Sequence, residues 1–308
     1  MNITLKQLRV FTAIARTENV SRAATELSLT QSAASMALRE LEQQLGVQLF
    51  DRAGKRLQLN VEGNRLLPKA RQILDEVQQI AGELGHAVRP QLAVGASTTI
   101  ADCLFPTMAT HLYQRHADLD LQLESGNSSN IMALLLAHRI DLGLVEGVCQ
   151  HPQLASTPWW TDRLVIVASP EHPLVRQSAM APLPVTALAG SRWILREAGS
   201  GTRSIFEHAF RAQLSGFELA AGLKHLPTIR ALVAAGDALT CLSGISVATD
   251  IAAGRLAVVH VRDLTLERQF YLLEHKQAYR SAIHGELIDW IMQQAACRGA
   301  AACSSPPY

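Results

Sequence analysis

Residues 27–46, LSLTQSAASMALRELEQQLG, join a tight turn to a helix whose first turn carries almost nothing bulky. Ala34, Leu38, Leu41 and Leu45 recur at spacings of four, three and four, the period of an amphipathic helix. Thr30 stands where an N-cap belongs, and Gln31, Ser32, Ala33, Ala34 and Ser35 follow it. A helix that opens so bare leaves room for something to approach its tip. Upstream, Leu5, Leu8, Phe11 and Ile14 give one short helix its apolar face, and Val20, Ala23, Ala24 and Leu27 give a second, capped by Asn19 or Ser21. Downstream, VQLF and KRLQLN read as a small hairpin joined by Asp51-Arg52-Ala53-Gly54. Three helices and a two-stranded wing make a winged helix-turn-helix over residues 1–60.

Asn60 caps the next pattern. Leu66, Ala70, Ile73, Val77, Ile80 and Leu84 alternate spacings of four and three, a heptad stripe. The domain before it is already complete, so residues 61–89 read as a linker helix that pairs with the same helix of a second chain. Arg89-Pro90 ends it. Strands then alternate with helices: QLAVGA, a helix near 99–115, LDLQLES, a helix near 128–138, IDLGLVE. A second set follows: RLVIVAS, RWILRE, a helix over 201–213, FELAAGL, a helix near 227–235, ALTCLS, LAVVHV, RQFYLLE and a last helix over 281–297. This βα alternation implies parallel sheet covered on both faces. It divides into lobe I (90–162 and 267–297) and lobe II (163–266), with strands crossing near 161–163 and 266–268 and a cleft between. Residues 298–308 read as a disordered tail.

Composition narrows the function. The 308 residues are 48% hydrophobic and 18% charged, with a net charge of +1, so any attraction to nucleic acid must be local. Residues 1–60 do hold eight basic against five acidic side chains. The five cysteines are dispersed and read as reduced core thiols in a cytoplasmic protein, with Cys103 and Cys241 nearest the cleft. No signal peptide or membrane span is expected. Catalytic arrangements are missing: no G-x-S-x-G, H-E-x-x-H or Walker A motif, and GSGTR lacks the later glycine of a dinucleotide loop. His111 and His116 read as surface histidines. No enzyme, metal or cofactor is expected. The competing reading is an enzyme or ligand-binding domain fused to the head without regulatory coupling.

The second helix of a helix-turn-helix lies in the major groove with its N-terminal residues at the base edges. That places Gln31, Ser32, Ser35 and Arg39 against DNA, and the wing's Arg52, Lys55 and Arg56 against the backbone or minor groove.

The stretch FTAIARTENVSRAATELSLTQSAASMALRELEQQLGVQLFDRAGKRLQLNVEG resembles the N-terminal signature of LysR-type transcriptional regulators. The matching marks are SRAA, LTQSAAS, LEQQLGVQLFDR and the L-x-x-x-G leading into the linker helix. The likeness is specific over residues 3–66 and colinear to residue 293. It implies that Gln31, Ser32, Ser35, Arg39 and Arg52 contact DNA, although Met36 stands where many members carry a basic residue. It implies an effector domain like a periplasmic binding protein over 90–297. It also implies homodimers or homotetramers on an interrupted inverted repeat of double-stranded DNA, and contact with RNA polymerase.

The residues offer an effector site of their own. Ser97-Thr98-Thr99, Asn127-Ser128-Ser129 and Gly199-Ser200-Gly201-Thr202-Arg203 each follow a strand and open a helix. Helix N-termini present free N–H groups and partial positive charge, and in open sheets ligands sit at the carboxyl ends of strands. Similar GSGTR turns occur in LysR-type members that control sulfur assimilation and carbon fixation, which favours a small anionic effector. Arg196, Glu146 and His225 are further candidates for the cleft.

Overall fold

The computed structural model describes residues 2–53, 56–83, 89–147 and 149–302. The head comprises α1 (Leu5–Thr17), α2 (Val20–Glu26), α3 (Gln31–Leu45) and a hairpin of β1 (Phe50–Ala53) and β2 (Arg56–Leu59). Each helix starts on a side-chain cap: Thr4 in a capping box with Gln7, Asn19 on the amides of Ser21 and Arg22, and Thr30 on that of Ala33. Phe11, Ile14, Ala34 and Leu41 meet in one core, with the Phe11 and Phe50 rings 5.6 Å apart. Leu5, expected on the apolar face, is 39% exposed, because the first turn of α1 lies at the margin of that core.

The hairpin is shifted from its expected register. Its first strand starts at Phe50 rather than Val47, and Asp51, Arg52 and Ala53 pair with Gln58, Leu57 and Arg56 instead of forming the turn. Burial of Leu49 and Phe50 sets this register, since those two side chains close the head's core. Gly54 and Lys55 lie outside the described residues.

The linker helix α4 (Val61–Glu83) is capped by Asn60, whose side-chain oxygen accepts from Gly63 N at 2.9 Å. Its heptad stripe splits. Leu67 and Ala70 are buried in the head's core, and Leu66 and Leu74 pack at its edge. Ile73 and Ile80 remain 43% and 58% exposed. Residues 84–88, including Leu84, lie outside the described residues.

The remainder is two α/β lobes. Lobe I holds β3 (Gln91–Ser97), α5 (Thr98–Cys103), α6 (Phe105–Arg115), β4 (Asp120–Gly126), α7 (Ser128–Leu136), β5 (Leu142–Glu146) and the start of β6 (Leu154–Ala168). Lobe II holds the rest of β6, then α8 (Pro173–Met180), β7 (Arg192–Arg196), α9 (Gly201–Ala209), β8 (Glu218–Leu223) and α10 (Leu226–Ala235). It continues with β9 (Thr240–Ser243), α11 (Gly244–Ala252) and β10 (Ala257–Val258) before β11 (Glu267–His275) and α12 (Ala282–Ala302) return to lobe I. In lobe I, β3 lies between β4 and β5, parallel to both, and β11 and β6 continue the sheet antiparallel. In lobe II, the far end of β6 pairs antiparallel with β9 and β10, and β7 is parallel to β8. The sheets are therefore mixed rather than all parallel. β6 and β11 run side by side between the lobes, with Arg163 opposite Glu267.

The helix expected over 99–115 is two helices, because Pro106 begins a new one and cannot donate the bond that would continue the first. α8 and α11 were not expected. The GISVATDIA of α11 is rich in β-branched residues, yet it packs as a helix with Val247 fully buried, so tertiary contacts override local preference. α12 extends past residue 297, where the tail was expected to begin, and residues 303–308 lie outside the described residues.

One glycine is dictated by close approach. A Cβ on Gly63 would lie 2.2 Å from the carbonyl oxygen of Leu49, so α4 can cross the wing only with hydrogen at that position. Gly63→Ala should therefore destabilise the head by about 1–3 kcal/mol, the usual cost of overpacking. Denaturant unfolding followed by circular dichroism would measure it; an unchanged midpoint would refute the contact.

Candidate functional site

Two regions bring polar side chains together. The first is the tip of α3. Gln31, Ser32 and Arg39 are exposed and Ser35 is half-buried, while Ala34, Ala37 and Leu38 turn inward. Met36 shares the outer face at 60% exposure. The Thr30 hydroxyl that caps the helix lies 3.1 Å from the Ser32 hydroxyl, so the cap and the first polar residue form one surface. Arg52 is exposed on β1, and Leu57 N donates to Glu18 O at 3.0 Å, fixing the wing against the end of α1. Arg56 lies on β2, and Lys55 falls outside the described residues.

The second region is the floor between the lobes, built around Arg268. On β11 it stands opposite Asp162 of β6, and its side chain is 1% exposed. Its Nε donates to Asp162 at 2.6 Å, its Nη1 to Glu146 and to Thr202 Oγ1 at 2.8 Å, and its Nη2 to Thr99 Oγ1 at 3.5 Å. Glu146 also accepts from Ser97 at 3.1 Å and Thr202 at 3.3 Å, while Ser243 donates to Asp162 at 2.7 Å. Phe270 lies under the guanidinium, 5.1 Å from ring centre to Cζ. Every nitrogen of Arg268 is thus engaged, by groups from both lobes.

The two carboxylates do not share Arg268 equally. Burial pushes both upward. At Glu146 the Arg268 charge, the hydroxyls of Thr99 and Ser97, and Arg196 outweigh burial and hold the carboxyl below its ordinary value. At Asp162 burial outweighs Arg268 and Ser243, and the carboxyl titrates above its ordinary value.

A second arginine differs. Arg196, at the end of β7, is 2% exposed. Its Nε and Nη2 hold Glu197 at 2.9 and 3.1 Å, and Nη2 reaches across to Thr98 Oγ1 of lobe I at 3.2 Å. Arg196 Nη1 and Ser200 Oγ are buried with no hydrogen-bond partner among the described residues. Bordered by their neighbours Thr98 and Glu197, a cavity of about 800 Å³ opens between Thr98 and Asn127 of lobe I and Glu197, His225 and Arg230 of lobe II.

All three polar turns reach this region, in different roles. Ser97, Thr99, Ser128, Ser200 and Thr202 are buried, and Thr98 and Asn127 line the cavity. Ser128 exchanges hydrogen bonds with the backbone of Glu146, and Asn127 caps α7 by accepting from Asn130 N. Gly199 has φ 86°, a left-handed conformation that favours glycine, and a Cβ there would lie 3.2 Å from the Asn127 amide. A Cβ on Gly201 would lie 3.1 Å from the Glu146 carbonyl oxygen. Arg203 is bound instead to Glu207 at 2.7 Å and to the Arg196 carbonyl at 3.2 Å. Asp162, Arg268 and Ser243 escaped the sequence reading. The available signal was a charged residue within each strand that crosses between lobes, Asp162 inside β6 and Arg268 near the start of β11.

Burial drives the Cys103 thiol up to about 11 and the Cys241 thiol to about 12, away from the reactive thiolate. His116 pairs with Glu286 at 2.7 Å and His111 stacks on Trp290, with 5.0 Å between ring centres. Among the described residues no group of three or more His, Cys, Asp or Glu could hold a metal ion, and no helix is long and apolar enough to cross a membrane.

Residues 5–64 match the bacterial regulatory helix-turn-helix proteins of the lysR family, and residues 85–296 match the LysR substrate binding domain. The HTH-type transcriptional regulator YeiE of Escherichia coli strain K12 is 37% identical over 293 residues, which cover 94% of this chain and 97% of that protein. The HTH-type transcriptional regulator CfxR of Cupriavidus necator is 31% identical over 309 aligned positions, covering 93% and 96%. In fold, the chain is similar to full-length OxyR of Pseudomonas aeruginosa, with a TM-score of 0.68 at 22% identity over 96% of this chain and 97% of that one.

Removing Arg268 would strand two buried carboxylates. Arg268→Met should lower the unfolding free energy of the two-lobed domain by about 3–5 kcal/mol, and adding Glu146→Gln should restore part of the loss. Urea titration would measure both; a neutral Arg268→Met would show that the floor contributes nothing to stability.

Proposed function

The chain belongs to the LysR family of bacterial transcriptional regulators, and from that premise we propose a regulator that reads its operator with the tip of α3 and answers to a small anion held between the lobes. That it is a DNA-binding regulator with a substrate-binding domain, rather than an enzyme, follows from the family. The finer reading is carried by one observation: the first turn of α3 exposes Gln31 and Ser32, with Arg39 one step beyond, while its small alanines face the core. Backbone and polar side chains can therefore press into a major groove without obstruction. Gln31 can meet adenine in a bidentate pair, Ser32 and Ser35 can bond bases or phosphates, and Arg39, Arg52, Lys55 and Arg56 supply charge.

Exposed Ile73 and Ile80 on α4 support pairing with the same helix of a second chain. Such a dimer would present two tips about one DNA turn (roughly 34 Å) or a multiple apart, hence an interrupted inverted repeat. Tetramers, contact with RNA polymerase and residence in the cytoplasm belong to the same reading. An anionic effector is supported by α5, α7 and α9, whose N-termini open toward the cleft, and by the unpartnered donors Arg196 Nη1 and Ser200 Oγ. Each nitrogen of Arg268 already holds an internal partner, whereas Arg196 Nη1 is an arginine nitrogen with none, so Arg196 is the arginine with a donor to offer.

Gln31→Ala should weaken operator binding by about 1–3 kcal/mol, the worth of a bidentate base contact, with an unaltered thermal transition. A footprint identical to wild type would remove Gln31 from the interface. For the cleft, a thermal-shift screen of small inorganic oxyanions and carboxylates should find a stabilising anion. Ser97→Ala with Thr202→Ala should lower its calorimetric affinity at least tenfold while operator affinity stays constant; equal affinity would exclude the cleft.

A further inference from the structure

Where α4 lies against lobe I, the seam is lined with histidines. Arg71 of α4 pairs with Asp141 at 2.8 Å and donates to the carbonyl of His138 at 3.0 Å. The His138 ring, at the end of α7, packs on that of His275, at the end of β11, with 4.5 Å between centres. His284 of α12 shares the neighbours Asp141 and Arg71 with His138, its Nε2 is 3.6 Å from Glu274, and all three histidines are buried. A second tie crosses the same seam, from Tyr279 to Asp75 of α4 at 2.6 Å. None of these groups belongs to the cleft.

We propose that this seam is a proton-sensitive joint: acidification releases the linker helix from lobe I and so changes how the head is presented to DNA, whether or not the cleft is filled. The charges facing the imidazoles support it. His138 faces Arg71 of α4, Asp141 ahead of β5, and His275. His275 additionally faces His151 on the connection from β5 to β6. His284 faces Asp141, Glu274, Arg280 and Arg71, and Arg280 is itself bound to Glu274 at 2.6 Å. The carboxylate that faces His138, Asp141, is thus already committed to Arg71. A proton on His138 places a second positive charge beside the guanidinium that docks α4, and one on His275 places a charge against the His138 ring.

Burial, then the neighbouring His275 and Arg71, bring His138 down to about 4 from its ordinary 6.5. A group whose proton affinity is depressed in the docked state favours docking at neutral pH and opposes it as pH falls below 6.5. If release restores ordinary hydration, the docked-to-released ratio drops about tenfold between pH 7.5 and 5.5. The release itself stands apart from the regulatory reading; only its consequence for DNA rests on that reading.

Hydrogen exchange of α4 residues 69–79 in the full chain, corrected for intrinsic rates, tests the joint without DNA or effector. Wild type should lose protection up to about tenfold between pH 7.5 and 5.5, while the cores of the head and lobes keep theirs. His138→Asn with His275→Gln should abolish that dependence, and Arg71→Gln should exchange fast at both values. Should the double variant fail to fold, His138→Asn alone carries the test, because asparagine tolerates the φ of 52° found there. Equal wild-type protection at both pH values, or the same acceleration without the histidines, would overturn the proposal.

Discussion

A guanidinium taken out of water needs its charge and all its N–H groups satisfied, and the two-lobed domain is arranged around meeting that need for Arg268. Two carboxylates and two hydroxyls, drawn from β5, β6, α5 and α9, accept from all three of its nitrogens. The ligand set cannot be assembled by either lobe alone. The price of a buried ion is thus met only when the lobes are brought together, and the floor of the cleft is at once its seal.

The head solves a different problem. Its recognition helix must be held firmly and still present a face that touches nothing of its own chain. The alanines of α3 let α1 and α2 come close, and α4 completes the core with Leu67 and Ala70 before running on to lobe I. One helix therefore serves as the lid of one domain and the docking partner of the other. Polar contacts such as Arg71 with Asp141 and Tyr279 with Asp75 hold it to lobe I. Allosteric coupling is typically about 1–3 kcal/mol, within the range that a few polar contacts supply.

Sequence periodicity located most of the strands and helices, because burial of one face leaves a local imprint spaced by two or by three and four residues. It failed where the deciding contacts were distant. The hairpin shifted because Leu49 and Phe50 close a core supplied by α1 and α4. The run GISVATDIA became α11 because the sheet of lobe II needed a helix over Val247. Polar turns pointed to the cleft, since a cap residue at a strand end is a local signal. They did not separate roles: Arg203 turned out to hold Glu207, while Arg196 kept a free donor.

What the sequence determined by itself was the head, the linker stripe, the alternation of the lobes and the family to which the chain belongs, because these are written in spacings of a few residues. What only the tertiary structure decided was the floor of the cleft and the histidine seam. Glu146, Asp162 and Arg268 are separated by up to 122 positions, and Arg71 and His284 by far more. Charged residues so distant say nothing of one another until the sheet sets their strands side by side and removes the water between them.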